Sequence, residues 1–531
     1  MNHLQRLFEE QSGILFNGSK YKLTTHIEKH ADEIYSCENN KKTLHLKAAN
    51  LRTAYFGMHN LAIGIKSGHL AEHLGENKPR FAWRPLSIVK TREHIINPEI
   101  SLFLPNFTKT GWDDLCVRTI ELGFNSLLFP ISQSMESSTS NPSVQNIFRT
   151  IQEYGLKIIV QPKFKFNAFS PFEIRYANTL NQNFQSLLKL YPEIDGVFWE
   201  SQAILSETSN PGLFRDVTQQ DLVEAEIKSL EKAIGPEKRR LFFYIPAPNY
   251  EKAKQQAKWI SQICDNVSAN TIIAFSSVAG GHFADHLPPH PFWNTLRESP
   301  DISATPLMPL VNIGSVNLGE GLWPSLSLDL IEDYISRCYR HSFAGAILQI
   351  ANMPKRGALL DGALWTTSQY LWKERPPHLL LATWFLARRP ELNIMFHRNL
   401  LIETRELVRL LSKIISEPPQ TNAEGKMIAE HLLVRLNYLQ FAFEAEKQKP
   451  IYPKISWSEY FKPFARDAKN IIHHYMLQHQ IHLPSMRKEE HFDLGFWTKN
   501  GSHAKILLDE PFSAFDEKSP MRAILNENRL E

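Results

Sequence analysis

Short apolar segments and longer amphipathic segments alternate along the middle of the chain. The short segments are rich in β-branched and aromatic residues, and each is followed by a stretch whose apolar residues recur at helical spacing. They predict eight strands: PLSIVKT, NSLLFPI, LKIIVQP, GVFWES, LFFYIPA, TIIAFSS, PLMPLVN and AGAILQI. Stretches between them such as GWDDLCVRTIELG and SVQNIFRTIQEYG predict helices, and the final glycine of each is typical of a helix stop before a strand.

Eight strands that alternate with helices predict an α/β fold, a (β/α)₈ TIM barrel, over residues 81–377. A doubly wound open sheet is the competing arrangement. The GxGxxG sequence that such a sheet carries after its first strand does not follow PLSIVKT, which weakens this alternative.

The segments on either side of the predicted barrel have different patterns. Residues 1–80 mix strand-like ILFNGSKYKL and TLHLKAA with helical LRTAYFGMHNLAIGIKSGHLAEHL, which predicts a small α/β domain. Residues 378–531 have few strand signals; NLLIETRELVRLLSKIISE and MIAEHLLVRLNYLQFAFEAEK predict a mainly α-helical domain with a mixed tail. We expect this last domain to serve either homo-oligomerisation or closure over the cleft.

Composition and charge narrow the classes of partner. The chain has 59 basic and 56 acidic residues and a formal net charge of +3, which favours neither a nucleic acid nor a membrane surface as partner. Its longest apolar run, LLLATWFLA, is about half of what a bilayer requires, and the first residues have no signal-peptide core. Four widely spaced cysteines without a CxxC motif favour free thiols. We therefore expect a cytoplasmic protein.

The fourth predicted strand ends in an unusual pair, Trp199 and Glu200. Reactive groups in TIM barrels come from the carboxyl ends of strands and the loops that follow, so Glu200 is expected at the barrel mouth. A neighbouring tryptophan would either raise the pKa of this carboxyl group by desolvation, as a general acid needs, or stack on a sugar. A structural role for Glu200, as a loop cap or an ion-pair partner, is the alternative.

Loops after the late strands are rich in glycine, asparagine, tryptophan and carboxylates, which suits a polyol or sugar ligand. Glycoside cleavage needs a second carboxyl group besides Glu200. Glu320 is the first choice as base or nucleophile, followed by Asp361 and then Asp285. The candidates for substrate binding are Trp199, Trp293, Trp323 and Trp365 as stacking walls and Asn312 as a hydrogen-bonding group.

Two other patterns suggest different chemistry, and neither predicts a cofactor. HFADHLPPH contains His282, His286 and His290 but not the HExxH spacing of a zinc site, so no metal is expected. KILLDEPFSAFDEK at 505–518 resembles a strand and loop of ABC-type ATPases. The phosphate cradle GxxxxGK[ST] that this chemistry needs does not occur in the sequence.

Three stretches together resemble the α-glucuronidase and β-hexosaminidase group of glycoside hydrolases. LRTAYFGMHNLAIGI resembles a helix of the small domain that precedes the barrel in those families, and PRFAWRPLSIVKTREH resembles their first barrel strand. LYPEIDGVFWES is similar to the fourth strand of α-glucuronidases. The resemblance implies a substrate-contacting role for Arg84 and the role of general acid for Glu200.

The sequence also departs from both families. Hexosaminidases carry an adjacent Asp-Glu pair at the fourth strand, where this chain has Trp199 and Glu200, and Val89-Lys90 replaces the aspartate of their first strand. The α-glucuronidase acid lies in a longer segment after the strand, for which both Glu200 and Glu207 are available.

The sequence thus predicts a carbohydrate-active hydrolase whose substrate is an oligosaccharide or glycoside with a uronic-acid or hexosamine-type sugar. The alternative is a glycosidase-like barrel that has lost its chemistry and binds a glycan or a protein partner. Fold alone does not decide between them.

Overall fold

A computed structural model describes most of the first 373 residues. The described residues are 3–29, 33–88, 100–102, 109–132, 144–164, 171–205, 217–235, 239–247, 250–277, 290–298, 306–313, 328–350, 353–354 and 359–373, together with 380, 383–384 and 387. The predicted helical domain at 378–531, with its KILLDEPFSAFDEK segment, therefore lies almost wholly outside the described residues and stays a prediction.

The chain begins with a small sheet flanked by two helices. The helices are α1 (His3–Phe16) and α2 (Leu51–Ser67), and a 3₁₀ turn follows at Leu70–His73. The strands are β1 (Lys22–Ile27), β2 (Tyr35–Asn40), β3 (Thr43–Ala48) and β4 (Gly75–Asn77), in the spatial order β1-β3-β2-β4. We call these elements the N-terminal unit. The strand predicted within ILFNGSKYKL begins only at Lys22, because the first residues of that stretch complete α1.

Eight parallel strands close into a barrel, which confirms the predicted TIM-barrel fold and rules out the open sheet. Two further short strands, β6 (Ile100–Leu102) and β14 (Met353–Pro354), pair with each other antiparallel. The barrel strands are β5 (Pro85–Ile88), β7 (Ser126–Ser132), β8 (Lys157–Lys163), β9 (Gly196–Glu200), β10 (Arg240–Ile245), β11 (Thr271–Ser276), β12 (Leu307–Asn312) and β13 (Ile347–Ile350). All eight overlap the predicted segments.

Helices follow the strands and cover the outside of the ring. They are α3 (Lys109–Glu121), α4 (Val144–Glu153), α5 (Ile174–Leu190), α6 (Gln202–Leu205), α7 (Gln219–Ile234), α8 (Tyr250–Gln256), α9 (Ile260–Asn266), α10 (Phe292–Glu298), α11 (Leu328–Arg340) and α12 (Leu359–Tyr370). Gly123 and Gly155 follow α3 and α4 with φ of +76° and +68°, a left-handed conformation that glycine adopts without strain. The predicted helix stops are thereby confirmed. None of the described helices is both long and apolar enough to cross a membrane.

Successive strand residues face opposite sides of the ring, and apolar side chains occupy both sides. One set of side chains fills the barrel interior: Leu128, Ile159, Phe198, Phe242, Ile272, Ala274, Met308, Leu310 and Ile347. The other set, which includes Val197, Trp199 and Phe243, packs against the surrounding helices in the main core. This alternation fixes which strand residues point into the barrel.

The N-terminal unit packs beneath the amino ends of the barrel strands. Glu33 forms ion pairs with Arg52 of α2 and with Arg84, which immediately precedes β5. Burial opposes the charge of Glu33, but the two guanidinium groups outweigh it and hold the pKa of Glu33 below its usual value. Trp372, after α12, packs on Phe56 of α2 with ring centroids 4.5 Å apart. The two ends of the barrel segment therefore meet the N-terminal unit at one place.

Replacing Glu33 by glutamine should lower the free energy of unfolding by about 3 kcal/mol, because it removes the counter-charge that the described residues supply to Arg52 and to the fully buried Arg84. Urea unfolding near pH 7 measures the change. The pKa of Glu33 is lower in the folded state than in the unfolded chain. The stability that its charge contributes is therefore present above the unfolded pKa and is lost as pH falls through the folded pKa. Glu38→Gln, an exposed position on β2, is the control; equal stability of E33Q and E38Q would contradict the prediction.

Candidate active site at the carboxyl ends of the strands

Glu200 is the last residue of β9 and faces the barrel interior. Phe198, two residues earlier, belongs to the interior cluster, and the strand alternation places Glu200 on the same side. Its side chain is half-buried, whereas the four preceding residues of β9 are buried. Glu200 therefore stands where the apolar interior of the barrel opens at its carboxyl end.

Among the residues of the eight described barrel strands, Glu200 is the single Asp or Glu. Below it the interior is apolar, filled by phenylalanine, methionine and aliphatic side chains. A carboxylate costs free energy in such surroundings unless polar partners compensate for its lost hydration. Its placement at the mouth is therefore the most distinctive chemical feature of the described barrel.

Tyr244 is a polar neighbour of Glu200 on the adjacent strand. The β9–β10 register places Tyr244 directly opposite Glu200, and its ring stacks on Phe198 with centroids 5.5 Å apart. Burial raises the pKa of the Tyr244 phenol, the charge of Glu200 raises it further, and a hydrogen bond with Ser276 at the end of β11 opposes the rise. The phenol thus stays protonated near neutral pH and can donate a hydrogen bond beside the carboxylate.

Further polar side chains stand at other strand ends. Gln349 of β13 donates from Nε2 to Oγ of Ser87 on β5 over 3.5 Å, and both side chains are buried. Gln161 of β8 is half-buried and lies two residues after the inward-facing Ile159. Together with Glu200, Tyr244 and Ser276 they make the mouth a hydrogen-bonding surface over an apolar floor, which suits a polyhydroxylated ligand.

The predicted stacking tryptophans that the structure describes lie among the helices. Trp199 faces outward, packs near Phe184 and donates to a carboxylate of α7. Trp293 of α10 donates to the Ser277 carbonyl oxygen over 2.9 Å and stacks on Tyr334, and Trp365 is buried in α12. Three indole rings are thus placed away from the mouth. Trp199 does not cover the carboxylate of Glu200, because adjacent strand residues face opposite sides.

Arg84 and Asp361 are also placed away from Glu200. Arg84 lies at the amino end of β5 and donates from Nε to the Gly123 carbonyl oxygen over 3.1 Å, besides its ion pair with Glu33. Asp361, in the first turn of α12, forms a buried ion pair with Arg118 of α3. Their described contacts are structural, and neither side chain is brought to the mouth with Glu200.

The remaining predicted site residues are only partly described. Asn312 ends β12 opposite Gln349, and its side chain lies outside the described residues. Several predicted residues fall outside the described ranges: Glu320 and Trp323, the alternatives Asp285 and Glu207, and the histidines His282 and His286. Their roles stay predictions.

His290, the third histidine of HFADHLPPH, is fully buried and hydrogen-bonded within the protein. Its Nδ1 accepts from the Phe292 amide over 3.2 Å, so Nε2 carries the proton and donates to Oε1 of Gln256 over 3.2 Å. Gln256 in turn donates to the Pro246 carbonyl oxygen after β10. Burial lowers the pKa of His290 to about 3, so its ring is neutral and connects the ends of β10 and β11.

No protein-family model matches the sequence, and a search of curated proteins finds no match. Solved glycoside hydrolases are among the structures that are similar, at low identity. One, described as a GH138 enzyme targeting pectin rhamnogalacturonan II, is 11% identical with a TM-score of 0.45, over 82% of this chain and 54% of that chain. The GH20 beta-N-acetylhexosaminidase from Streptomyces coelicolor A3(2) is 11% identical with a TM-score of 0.48, over 72% of this chain and 89% of that chain.

The third, an N-acetyl-beta-hexosaminidase from Streptomyces plicatus, is 10% identical with a TM-score of 0.45, over 72% of this chain and 89% of that chain. This chain therefore spans about half the length of the GH138 enzyme. At such identities and TM-scores, the matches assign neither a family nor a substrate to this chain.

Sequence reasoning missed Tyr244 and Ser276, although a signal for both exists. In LFFYIPA and TIIAFSS each is a polar residue near the end of an otherwise apolar strand, two residues after an inward-facing position. It also missed Glu226 of α7, a carboxylate with 0% exposure on the apolar stripe of Val223, Ile227 and Leu230. A carboxylate at an apolar helical position is a sign of a buried polar network.

Proposed function

We propose that this chain is a carbohydrate-active hydrolase that cleaves a glycosidic bond at the barrel mouth, with Glu200 as general acid. The placement of Glu200 carries the proposal: it is the one carboxylate of the eight described barrel strands, and it faces inward at their carboxyl ends. A general acid protonates the leaving-group oxygen, and a half-buried carboxyl group at the mouth can reach a ligand there.

Tyr244 supports the same site. Its phenol lies opposite Glu200 and, in this proposal, donates a hydrogen bond to a sugar hydroxyl or to the carboxylate after proton transfer. Glu320 is the preferred base or nucleophile, since Asp361 is already paired with Arg118. The sequence resemblance to α-glucuronidases and β-hexosaminidases agrees with this assignment.

The type of sugar is narrowed by Trp199. In hexosaminidases the residue before the acid is an aspartate that orients the acetamide group of the substrate. Here it is Trp199, whose indole faces the helices. We therefore favour a uronic-acid type of sugar over a hexosamine type.

A barrel that binds a glycan without cleaving it is the second candidate, and one observation favours it. Glycosidases use two carboxyl groups, whereas the described strand ends supply one. Both candidate functions predict that a glycan binds, but only the hydrolase predicts that it is cleaved.

The test is a panel of nitrophenyl glycosides and oligosaccharides, uronic acids included, offered to the full chain and to Glu200→Gln. Product release measures hydrolysis, and the rise in melting temperature measures binding. Hydrolysis by the unmodified chain that falls in E200Q, more on oligosaccharides than on nitrophenyl glycosides, would support the proposal. A rise in melting temperature without product would favour the binding candidate, and neither signal on any sugar would overturn both.

A further inference from the structure

The residues next to Glu200 in the chain donate hydrogen bonds to one buried carboxylate, Glu226 of α7. Its side chain has 0% exposure and accepts five hydrogen bonds. Oε1 accepts from Tyr176 OH (2.8 Å), Trp199 Nε1 (2.8 Å) and the Gln202 amide (2.9 Å); Oε2 accepts from Ser201 Oγ (2.8 Å) and the Ala203 amide (3.2 Å).

Four of the five donors belong to residues on either side of Glu200 in the chain. One is the preceding tryptophan, and three are the consecutive residues 201–203 that follow. The amides of Gln202 and Ala203 open the short helix α6, where backbone N–H groups have no partner within the helix. Glu226 supplies that partner and so fixes where the strand ends and the helix starts.

The same segment is held from the other side by β10. The Ser201 amide donates to the carbonyl oxygen of Tyr244 on β10 over 2.9 Å. Within the segment itself, Gln202 Nε2 donates to the carbonyl oxygen of Glu200 over 3.0 Å. The backbone around Glu200 is thus fixed between β10 on one side and Glu226 on the other, while the strand alternation directs the Glu200 side chain into the mouth.

We propose that Glu226 is a positioning residue for Glu200: its five accepted hydrogen bonds set the backbone from which the acid reaches its substrate. This inference rests on the proposed function, in which Glu200 is the acid. A displacement of about 1 Å in a catalytic group costs on the order of 10²-fold in rate. Glu226 can therefore influence turnover without touching the substrate.

Glu226→Gln is the direct test, because glutamine keeps the shape but turns an NH₂ group toward N–H and O–H donors. We expect kcat on a cleaved glycoside to fall about 10–100-fold with KM within about threefold. In the Glu200→Gln background the same change should cost nothing further, since the acid it positions is already absent. A structural role alone would give the same loss in both backgrounds.

Glu231→Gln is the matched control. Glu231 lies on the same helix and accepts from the Ser268 amide (2.8 Å) and Thr271 Oγ1 (2.5 Å), at the amino end of β11 and away from the mouth. Both bonds end on Oε1, an oxygen that glutamine keeps, so E231Q makes the same change of charge without turning an NH₂ group toward a donor. We expect kcat to stay within about twofold of the unmodified chain. Should E226Q fail to fold, Ser201→Ala removes one of the five bonds and is expected to lower kcat by about 2–5-fold.

Hydrogen exchange separates this inference from the proposed function. We expect faster amide exchange at 202–203 in E226Q and unchanged exchange there in E231Q. Unchanged exchange in E226Q would overturn the inference whatever the activity. Faster exchange with unchanged kcat, or with an equal loss in both backgrounds, would also overturn it. If the unmodified chain hydrolyses nothing, the proposed function fails, and the exchange result alone decides whether Glu226 holds the segment.

Discussion

Replacing Glu200 by glutamine is expected to lower kcat for glycoside hydrolysis by about 10²–10⁴-fold while KM stays within a few-fold. The amide has the size of the carboxyl group and can still hydrogen-bond to a sugar, but its N–H is far too weak an acid to protonate the leaving oxygen. The loss should depend on the leaving group. A nitrophenolate leaves with little protonation, so E200Q should retain more activity on nitrophenyl glycosides than on oligosaccharides.

That dependence distinguishes an acid from a nucleophile. An equal loss on both kinds of substrate would argue that Glu200 attacks the sugar carbon, and undiminished turnover would remove it from the mechanism. Glu231→Gln is again the control, since it makes the same chemical change at the opposite end of the barrel.

His290 is expected to make the barrel less stable in mild acid. Its folded pKa of about 3 lies below the ordinary value of 6.5, so the unfolded chain takes up a proton that the folded ring does not. The contribution is full above pH 6.5 and is lost progressively as pH falls toward 3. As pH falls from about 8 to about 5, proton uptake by His290 in the unfolded chain should lower the free energy of unfolding by about 2 kcal/mol.

The measurement is urea unfolding of the unmodified chain and of His290→Gln at several pH values across that range. Glutamine can still donate to Gln256 but does not titrate, so the stability difference between the two proteins should shrink by about 2 kcal/mol on acidification. His26→Gln, at an exposed position of β1, should follow the unmodified chain. A constant difference between the unmodified chain and H290Q would contradict the assignment of a neutral, buried ring.

The sequence was sufficient to predict the barrel because each strand is a short, continuous apolar run closed by glycine or polar residues. Such runs occur where a strand is buried on both faces. The sequence also allowed a prediction of which β9 residues face into the barrel and which face outward. Once Glu200 is taken to face the mouth, Trp199 must face outward, because neighbours alternate. The expectation of a tryptophan wall beside the acid overlooked this rule.

Other features were beyond local pattern. Asp361 is paired with Arg118, 243 residues earlier, and no spacing in the sequence indicates such a contact. Arg84 was interpreted through a family resemblance, although it precedes its strand and so lies at the amino end, opposite the mouth. The apolar stripe around Glu226 indicates that this carboxylate is buried, but its hydrogen-bond partners are visible only in the structure, where the segment after β9 brings their donors to α7.

The meeting of Glu33, Arg84 and Trp372 beneath the barrel bears on how this protein can be divided. The ring closes where its first strand, β5, pairs with its last, β13. Arg84, which precedes β5, and Trp372, which follows α12, both contact the N-terminal unit. A shortened version starting at residue 81 would lack Glu33, the described counter-charge of Arg84, and would expose the Trp372 ring that packs on Phe56. Anyone seeking a minimal crystallisable or catalytic piece should therefore retain α1 through β4 upstream of the barrel.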